Sequence, residues 1–200
     1  MSSVGARRQI LRISALALAV LPATHLADSA YANPVKSHYT TIDLKTCRKT
    51  KEHPDGSAWT CPGLPGYHVW LAEGDLRTFV SVGIRANKRR AAEQTLASFN
   101  SIFPKDSSRT TLEWRFRRNG STLVPYATIL RYFTSNGTVR GEVLVVAKVT
   151  KTETCHVAHI DALATSDPIV LAHRIADETA PTFDCSKEPI RVGGNGKSPM

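Results

Sequence analysis

Residues 110–149 constrain this chain more than any other stretch. Thr110 to Arg117 alternates, with Leu112, Trp114 and Phe116 on one side and Glu113, Arg115 and Arg117 on the other. That period of two is the mark of a half-buried strand. Asn119-Gly120 and Asn136-Gly137 then bracket Leu123 to Phe133. Such pairs between strand-like runs are strong tight-turn signals. Val139 to Val149 follows, with the near-continuous apolar run Val143-Leu144-Val145-Val146-Ala147. A run apolar on both faces predicts a central strand. Three strands joined by short turns make an antiparallel meander. Pro125 has no N–H to give, so it belongs at an edge or a bulge.

The N-terminus predicts export. Arg7, Arg8 and Arg12 precede an Ala/Leu-rich stretch from Ile13 to Ala23, and Ala30-Tyr31-Ala32 fits a signal peptidase cut. The paired arginines, followed by Ile10, Leu11 and Arg12, resemble a twin-arginine export signal. The apolar stretch is too short to span a bilayer, and no later segment is long enough. Residues 1–32 are thus expected to be a signal peptide, leaving a periplasmic or secreted chain with no transmembrane segment.

Cys47, Cys61, Cys155 and Cys185 all lie beyond that cut. An even number of cysteines in an exported chain implies disulfides, and three pairings are possible. Pairing between neighbours, Cys47 with Cys61 and Cys155 with Cys185, is the expected one. The spacings lack the short paired separations of a zinc site, so neither a metal nor a cofactor is expected. Without residues 1–32 the formal charge falls from +9 to +7 through loss of Arg7, Arg8, Arg12 and Asp28. Such a surface favours anionic partners.

Outside the meander the signals are shorter. His38 to Leu44 is rich in β-branched residues, and Tyr67–Leu71 and Leu76–Ile84 resemble two further strands around a turn at Glu73-Gly74-Asp75. Cys47 to Cys61 encloses a polar loop stapled at its base. Lys88 to Phe99 carries good helix formers, with Ala92, Leu96 and Phe99 on one face. Cys155 to Leu163 is a further strand. Asp167-Pro168 opens a helix, Asp167 as cap, whose apolar face is Leu171, Ala172, Ile175, Ala176 and Thr179. The expected fold is α+β: one domain over residues 33–185, a mostly antiparallel sheet of about six or seven strands, and a C-terminal helix packed on it. Residues 186–200, rich in Gly and Pro, are expected to be a disordered tail.

Several of these stretches together resemble a known family. They are Tyr39-Thr40-Thr41-Ile42-Asp43-Leu44 with Cys47, Cys61-Pro62-Gly63-Leu64-Pro65-Gly66-Tyr67, Glu73-Gly74-Asp75-Leu76-Arg77, Glu113-Trp114-Arg115, Pro125 through Arg131, Cys155-His156-Val157-Ala158-His159-Ile160-Asp161-Ala162, and Ala176-Asp177 before Phe183-Asp184-Cys185. The family is one of small exported bacterial proteins with no assigned function. The resemblance implies a single disulfide-containing domain and no activity.

Three clusters could carry chemistry. Cys155 to Asp161 is the densest. On a regular strand His159 and Asp161 share a face with Cys155 while His156 points the other way. A His159/Asp161 pair could serve a hydrolase as base and orienter, with His156 nearby. The plainer reading is a solvated strand face beside a structural cysteine. Glu73 and Asp75 flank a turn and could approach the spacing of glycosidase carboxylates; an ion pair with Arg77 is the plainer reading. Arg77, Arg115, Arg117 and Arg131 are the candidate binding residues for an anionic envelope component or a protein partner. Trp114 and Phe116 lie opposite Arg115 and Arg117, which speaks against a stacking surface for nucleic acid there. No nucleophile elbow or phosphate loop occurs. The favoured expectation is a non-enzymatic binding module, with a hydrolase as the alternative.

Overall fold

The computed structural model describes residues 36–193 and 196–200. The expected signal peptide and its twin-arginine motif lie outside them. Eleven strands occur among the described residues: β1 (Lys36–Asp43), β2 (Arg48–His53), β3 (Gly56–Leu64), β4 (Tyr67–Gly74), β5 (Arg77–Gly83), β6 (Phe99–Ser101), β7 (Arg109–Asn119), β8 (Thr122–Ser135), β9 (Arg140–Val149), β10 (Thr154–Asp161) and β11 (Ile190–Val192). The single α-helix among them, α1 (Pro168–Arg174), runs on through a π turn at Ile175–Thr179 and a 3-10 turn at Ala180–Thr182.

The protein is mostly β-sheet with one C-terminal helix and two disulfides. The strands form two sheets. One has seven strands in the order β1-β7-β8-β9-β10-β11, with β6 beside the far end of β8. The other is a four-stranded meander, β2-β3-β4-β5. The expected run from β7 to β10 pairs antiparallel in chain order. Pro125 borders the register shift in β8 opposite Arg115 and Phe116, where Tyr126 is the extra residue. The turn after β7 uses Gly120 at φ +59 as the first of two loop residues, a conformation that suits glycine.

The seven-stranded sheet is buried on both faces. Leu112, Trp114, Leu130, Tyr132, Val143 and Val145 meet Val69, Leu71, Val80 and Val82 of the smaller sheet. On the other side Ala127, Ile129, Leu144, Val146, Val157 and Ile160 meet Ala172, Ile175, Ala176, Ala180 and Phe183. The bridge Cys155–Cys185 ties the segment after α1 back to β10, and Cys47–Cys61 ties β3 to the turn after β1. Two disulfides suit a protein of an oxidising compartment, periplasmic or extracellular.

Four expectations are corrected. Residues 88–99 are not a helix. Two short 3-10 turns, Ala86–Lys88 and Arg90–Glu93, bury Ala86 and Ala91, the second of them against β5 and β10, and Leu96 is buried in the stretch that follows. One apolar residue per turn is too thin a stripe to hold a helix there. The stretch from Cys47 to Cys61 holds the hairpin β2–β3 rather than a loop. Asp167 makes no side-chain cap. The described part of the expected tail, residues 186–193 and 196–200, is not free: β11 adds to β10 in parallel, and Ser198 is buried. The reason is the Asp161 carboxylate, which sits with no exposure and needs donors.

Candidate functional site

In β10 a bulge at Val157 changes which side chains meet. The register passes from His156 opposite Ala147 to Ala158 opposite Val146. The extra residue turns His156 and His159 to the same side, correcting the alternation expected from sequence. Their rings cross edge to face, with His156 Nδ1 3.0 Å from His159 Nε2. Burial, and then the neighbouring His159, pushes the His156 imidazole down to about 3. Burial, and then Arg191, pushes His159 down to about 4. Both rings are neutral near pH 7, one donating to the other. The His156 backbone N–H donates to Gln94 Oε1 at 2.8 Å.

Asp161 is not the orienter of His159. Its Oδ1 accepts the Ser198 hydroxyl at 2.6 Å and the N–H groups of Leu163 and Ala164 at 2.9 and 3.1 Å. Its Oδ2 accepts the Ser198 N–H at 2.8 Å. Burial alone would raise this carboxyl, but those four hydrogen bonds hold it below its usual range. The carboxylate ties the end of β10 to the C-terminal segment.

Glu113 and Arg115 face α1 and are buried beneath it, which the alternation of β7 could not show. Arg115 donates from Nε and Nη2 to the two carboxylate oxygens of Asp177, at 3.0 and 2.7 Å. The Tyr126 hydroxyl donates to Asp177 Oδ1 at 2.6 Å. Ser37 joins Arg115 to Glu113, with both contacts at 2.5 Å. His173 Nε2 lies 2.8 Å from Glu113 Oε1 but out of line for a hydrogen bond. Burial would lower the Arg115 guanidinium, but Asp177, Tyr126 and Glu113 outweigh it and raise it. With 7% exposure and a bidentate partner, Arg115 is a clamp for the helix rather than a contact for a ligand. The π turn widens the helix where Asp177 reaches the sheet.

The other candidate arginines divide. Arg131 pairs with Glu142, and Arg77 with Asp75 across the β4–β5 turn. Arg117 is exposed and lies over the Tyr126 ring, 5.6 Å from its centre. Glu73 lines a cavity of about 760 Å³ together with Asp55, Asp75 and Arg77, and burial pushes its carboxyl up. Among the described residues no group of three or more His, Cys, Asp or Glu is placed to hold a metal ion. Among them, too, no helix is long and apolar enough to cross a membrane.

Sequence reasoning missed the outer face of the small sheet. Val69, Leu71, Val80 and Val82 point into the core, so their neighbours point out. The register aligns Arg48, Thr60, Trp70 and Ser81 in one row and Lys51, Ala58, Ala72 and Phe79 in the next. Arg77, two residues before Phe79, lies on the same face of β5. Arg48 and Lys51 are exposed and Trp70, Phe79 and Arg77 half-buried, while Ser81 and Ala58 in the same rows are buried. Aromatics and cations therefore share one face here, as they do not on β7. The signal was present as alternation in Val69-Trp70-Leu71 and Phe79-Val80. It needed the strand order to become a surface.

Comparison with protein-family models, with curated proteins and with solved structures finds no match.

Proposed function

We propose that this is an exported, non-enzymatic binding module that engages an acidic polysaccharide of the cell envelope through the outer face of β2–β5. The observation that carries the reading is the cross-strand register that puts Trp70 and Phe79 on one face with Arg48, Lys51 and Arg77. The flat faces of the two rings suit the C–H face of a sugar, and the cations suit its carboxylates. The hydrolase alternative lacks its geometry: His159 is bonded to His156, and Asp161 to Ser198 and two backbone N–H groups.

The test is a titration of the purified protein with polygalacturonate, followed by tryptophan fluorescence across a salt series. Binding should weaken steeply between low and physiological salt, where the screening length is about 8 Å. Arg48→Gln with Lys51→Gln should flatten the salt dependence. Trp70→Ala should abolish tight binding while leaving a weak, salt-sensitive remainder. Equal binding of polyglutamate, which has charge but no sugar ring, would refute the role of the aromatic face.

A further inference from the structure

A second surface, separate from that sheet face, has the makings of a ligand site. A cavity of about 630 Å³ opens between the β4–β5 turn, β6 and the adjoining ends of β8 and β9. That size falls within the range of small-molecule sites, roughly 300–1,000 Å³. Its lining is mostly apolar and includes Leu76, Phe99, Phe133 and Leu163, with Lys105 and Arg140 among the polar residues. Leu76 is 72% exposed, Phe99 45% and Leu163 43%. Single exposed apolar side chains are ordinary, but three gathered around one hollow are not.

The turn that presents Leu76 is itself unusual. Asp75 and Leu76 are the two loop residues between Gly74 and Arg77, and both have positive φ, +52° and +57°. A two-residue hairpin loop of this kind favours Asn, Asp or Gly. Asp75 fits that preference, but Leu76 does not, and a leucine here carries backbone strain. The Leu76 carbonyl accepts the N–H of buried Asn100 at 3.0 Å, which holds the turn, but the exposed leucine side chain gains no burial there. Strain of this kind, held at an exposed position beside a cavity, is a reason to look for a ligand.

The polar residues narrow the ligand. Lys105 and Arg140 have no ion-pair partner among the described residues, unlike Arg77, Arg115 and Arg131. Glu142, the carboxylate in the lining, is already paired with Arg131. Apolar walls with two unpaired cations complement a molecule with an apolar body and an anionic end.

From this the geometry points to a binding site for a single acyl chain bearing an anionic head group, the chain lying against Leu76, Phe99, Phe133 and Leu163 and the head between Lys105 and Arg140. A free fatty acid and an anionic lipid share that chemistry. The experiment separates them by calorimetric titration with octanoate, decanoate and dodecanoate as monomers, and by sedimentation with phosphatidylglycerol vesicles. Affinity for the monomers should rise about fourfold per added methylene until the cavity is filled. Lys105→Gln with Arg140→Gln should lower it roughly fivefold to tenfold and leave the chain-length trend intact. Leu76→Gly should raise Tm, because it relieves the turn, and weaken dodecanoate binding at the same time. A structural role for Leu76 does not give that opposition.

Monomer binding with vesicle binding would show that a lipid acyl chain can enter as well; monomer binding alone would assign the site to free acids. Either supports the proposal. Dodecanol binding as tightly as dodecanoate overturns it, as does affinity independent of chain length. Vesicle binding without monomer binding also overturns it, in favour of a bilayer surface, and a stable dimer that hides Leu76 and Phe99 assigns the patch to a second copy instead.

Discussion

Acidification from pH 7 to pH 5 should strip a large part of this protein's stability, offset in small part by Glu73, whose carboxyl burial pushes up so that protonation favours the folded state. The cause is the His156–His159 pair. In the unfolded chain each imidazole has a pKa of about 6.5. In the folded chain burial holds them at about 3 and about 4. Below pH 6.5 the unfolded chain therefore binds protons that the folded chain refuses. A group with a depressed folded pKa of this basic kind contributes its full share above about pH 6.5. It loses that share as pH falls, until the folded pKa is reached. Each histidine costs about 1.4 kcal/mol per pH unit in that window. For two, the loss between pH 7 and pH 5 is about 4 kcal/mol, against a total of about 5–15 kcal/mol for an ordinary domain. Asp161 has the opposite sense, with its pKa lowered in the folded state. Its contribution is present above about pH 3.9 and disappears as pH falls through its folded value, so it does not confuse the window.

Urea unfolding at half-unit steps from pH 7.5 to pH 4.5 measures this directly. His159→Gln keeps a donor and acceptor beside His156 but removes one titrating group, so the slope of stability against pH should drop by about half. A stability that stays flat between pH 7 and pH 5 would mean that the pair is hydrated or opens readily, and the burial argument would fail. An unchanged slope in His159→Gln would assign the proton uptake elsewhere.

Two other perturbations follow from the ion pair beneath α1 and from the disulfides. Asp177→Ala leaves the buried Arg115 guanidinium without its bidentate partner and should cost about 3 kcal/mol, the low end for a broken buried pair because Asp177 is 27% exposed; Arg115→Met combined with Asp177→Leu should recover most of it, and the urea midpoint reads both. Removing the disulfides one at a time should cost about 3 kcal/mol for the 14-residue separation of Cys47–Cys61 and about 3.6 kcal/mol for the 30-residue separation of Cys155–Cys185 on the loop-entropy account. Equal or reversed losses in thermal unfolding would show that strain or residual structure in the reduced chain dominates instead.

The strands from Thr110 to Val149 were legible because their determinants are local. Alternation sets the faces, Asn-Gly marks the turns, and the double-sided apolar run of β9 names the centre. The cysteine pairing was legible for the same reason, since each pair brackets elements adjacent in sequence. The small sheet was seen only in fragments. Lys51 and Glu52 look like loop residues, and they lie in a strand because β2 is an edge with one neighbour, where polar side chains are tolerated. β11 has three residues and no periodicity to detect; pairing with β10 defines it.

The candidate site was hidden by two features that a period of two cannot carry. One is an inserted residue. A single bulge at Val157 brings His159 to the side of His156, so that the two rings meet, while Asp161 is taken up by Ser198 and the N–H groups of Leu163 and Ala164. The other is a second layer. Glu113, Arg115 and Arg117 are equivalent by alternation, yet α1 covers the first two and leaves Arg117 in solvent. Whether a charged residue on a polar strand face binds a ligand or clamps a helix depends on what arrives more than 60 residues later, and Asp177 arrives 62 residues after Arg115. The same layering explains why the aromatic and cationic groups meet on the small sheet. Its inner face is committed to the core through Val69, Leu71, Val80 and Val82, and this sends Trp70 and Phe79 outward beside Arg48 and Lys51. Half-buried aromatics beside Arg48 and Lys51, which have no ion pair among the described residues, contribute less to stability than fully buried ones. On the proposed reading a polysaccharide covers them, and polygalacturonate binding that survives Trp70→Ala undiminished would remove that account.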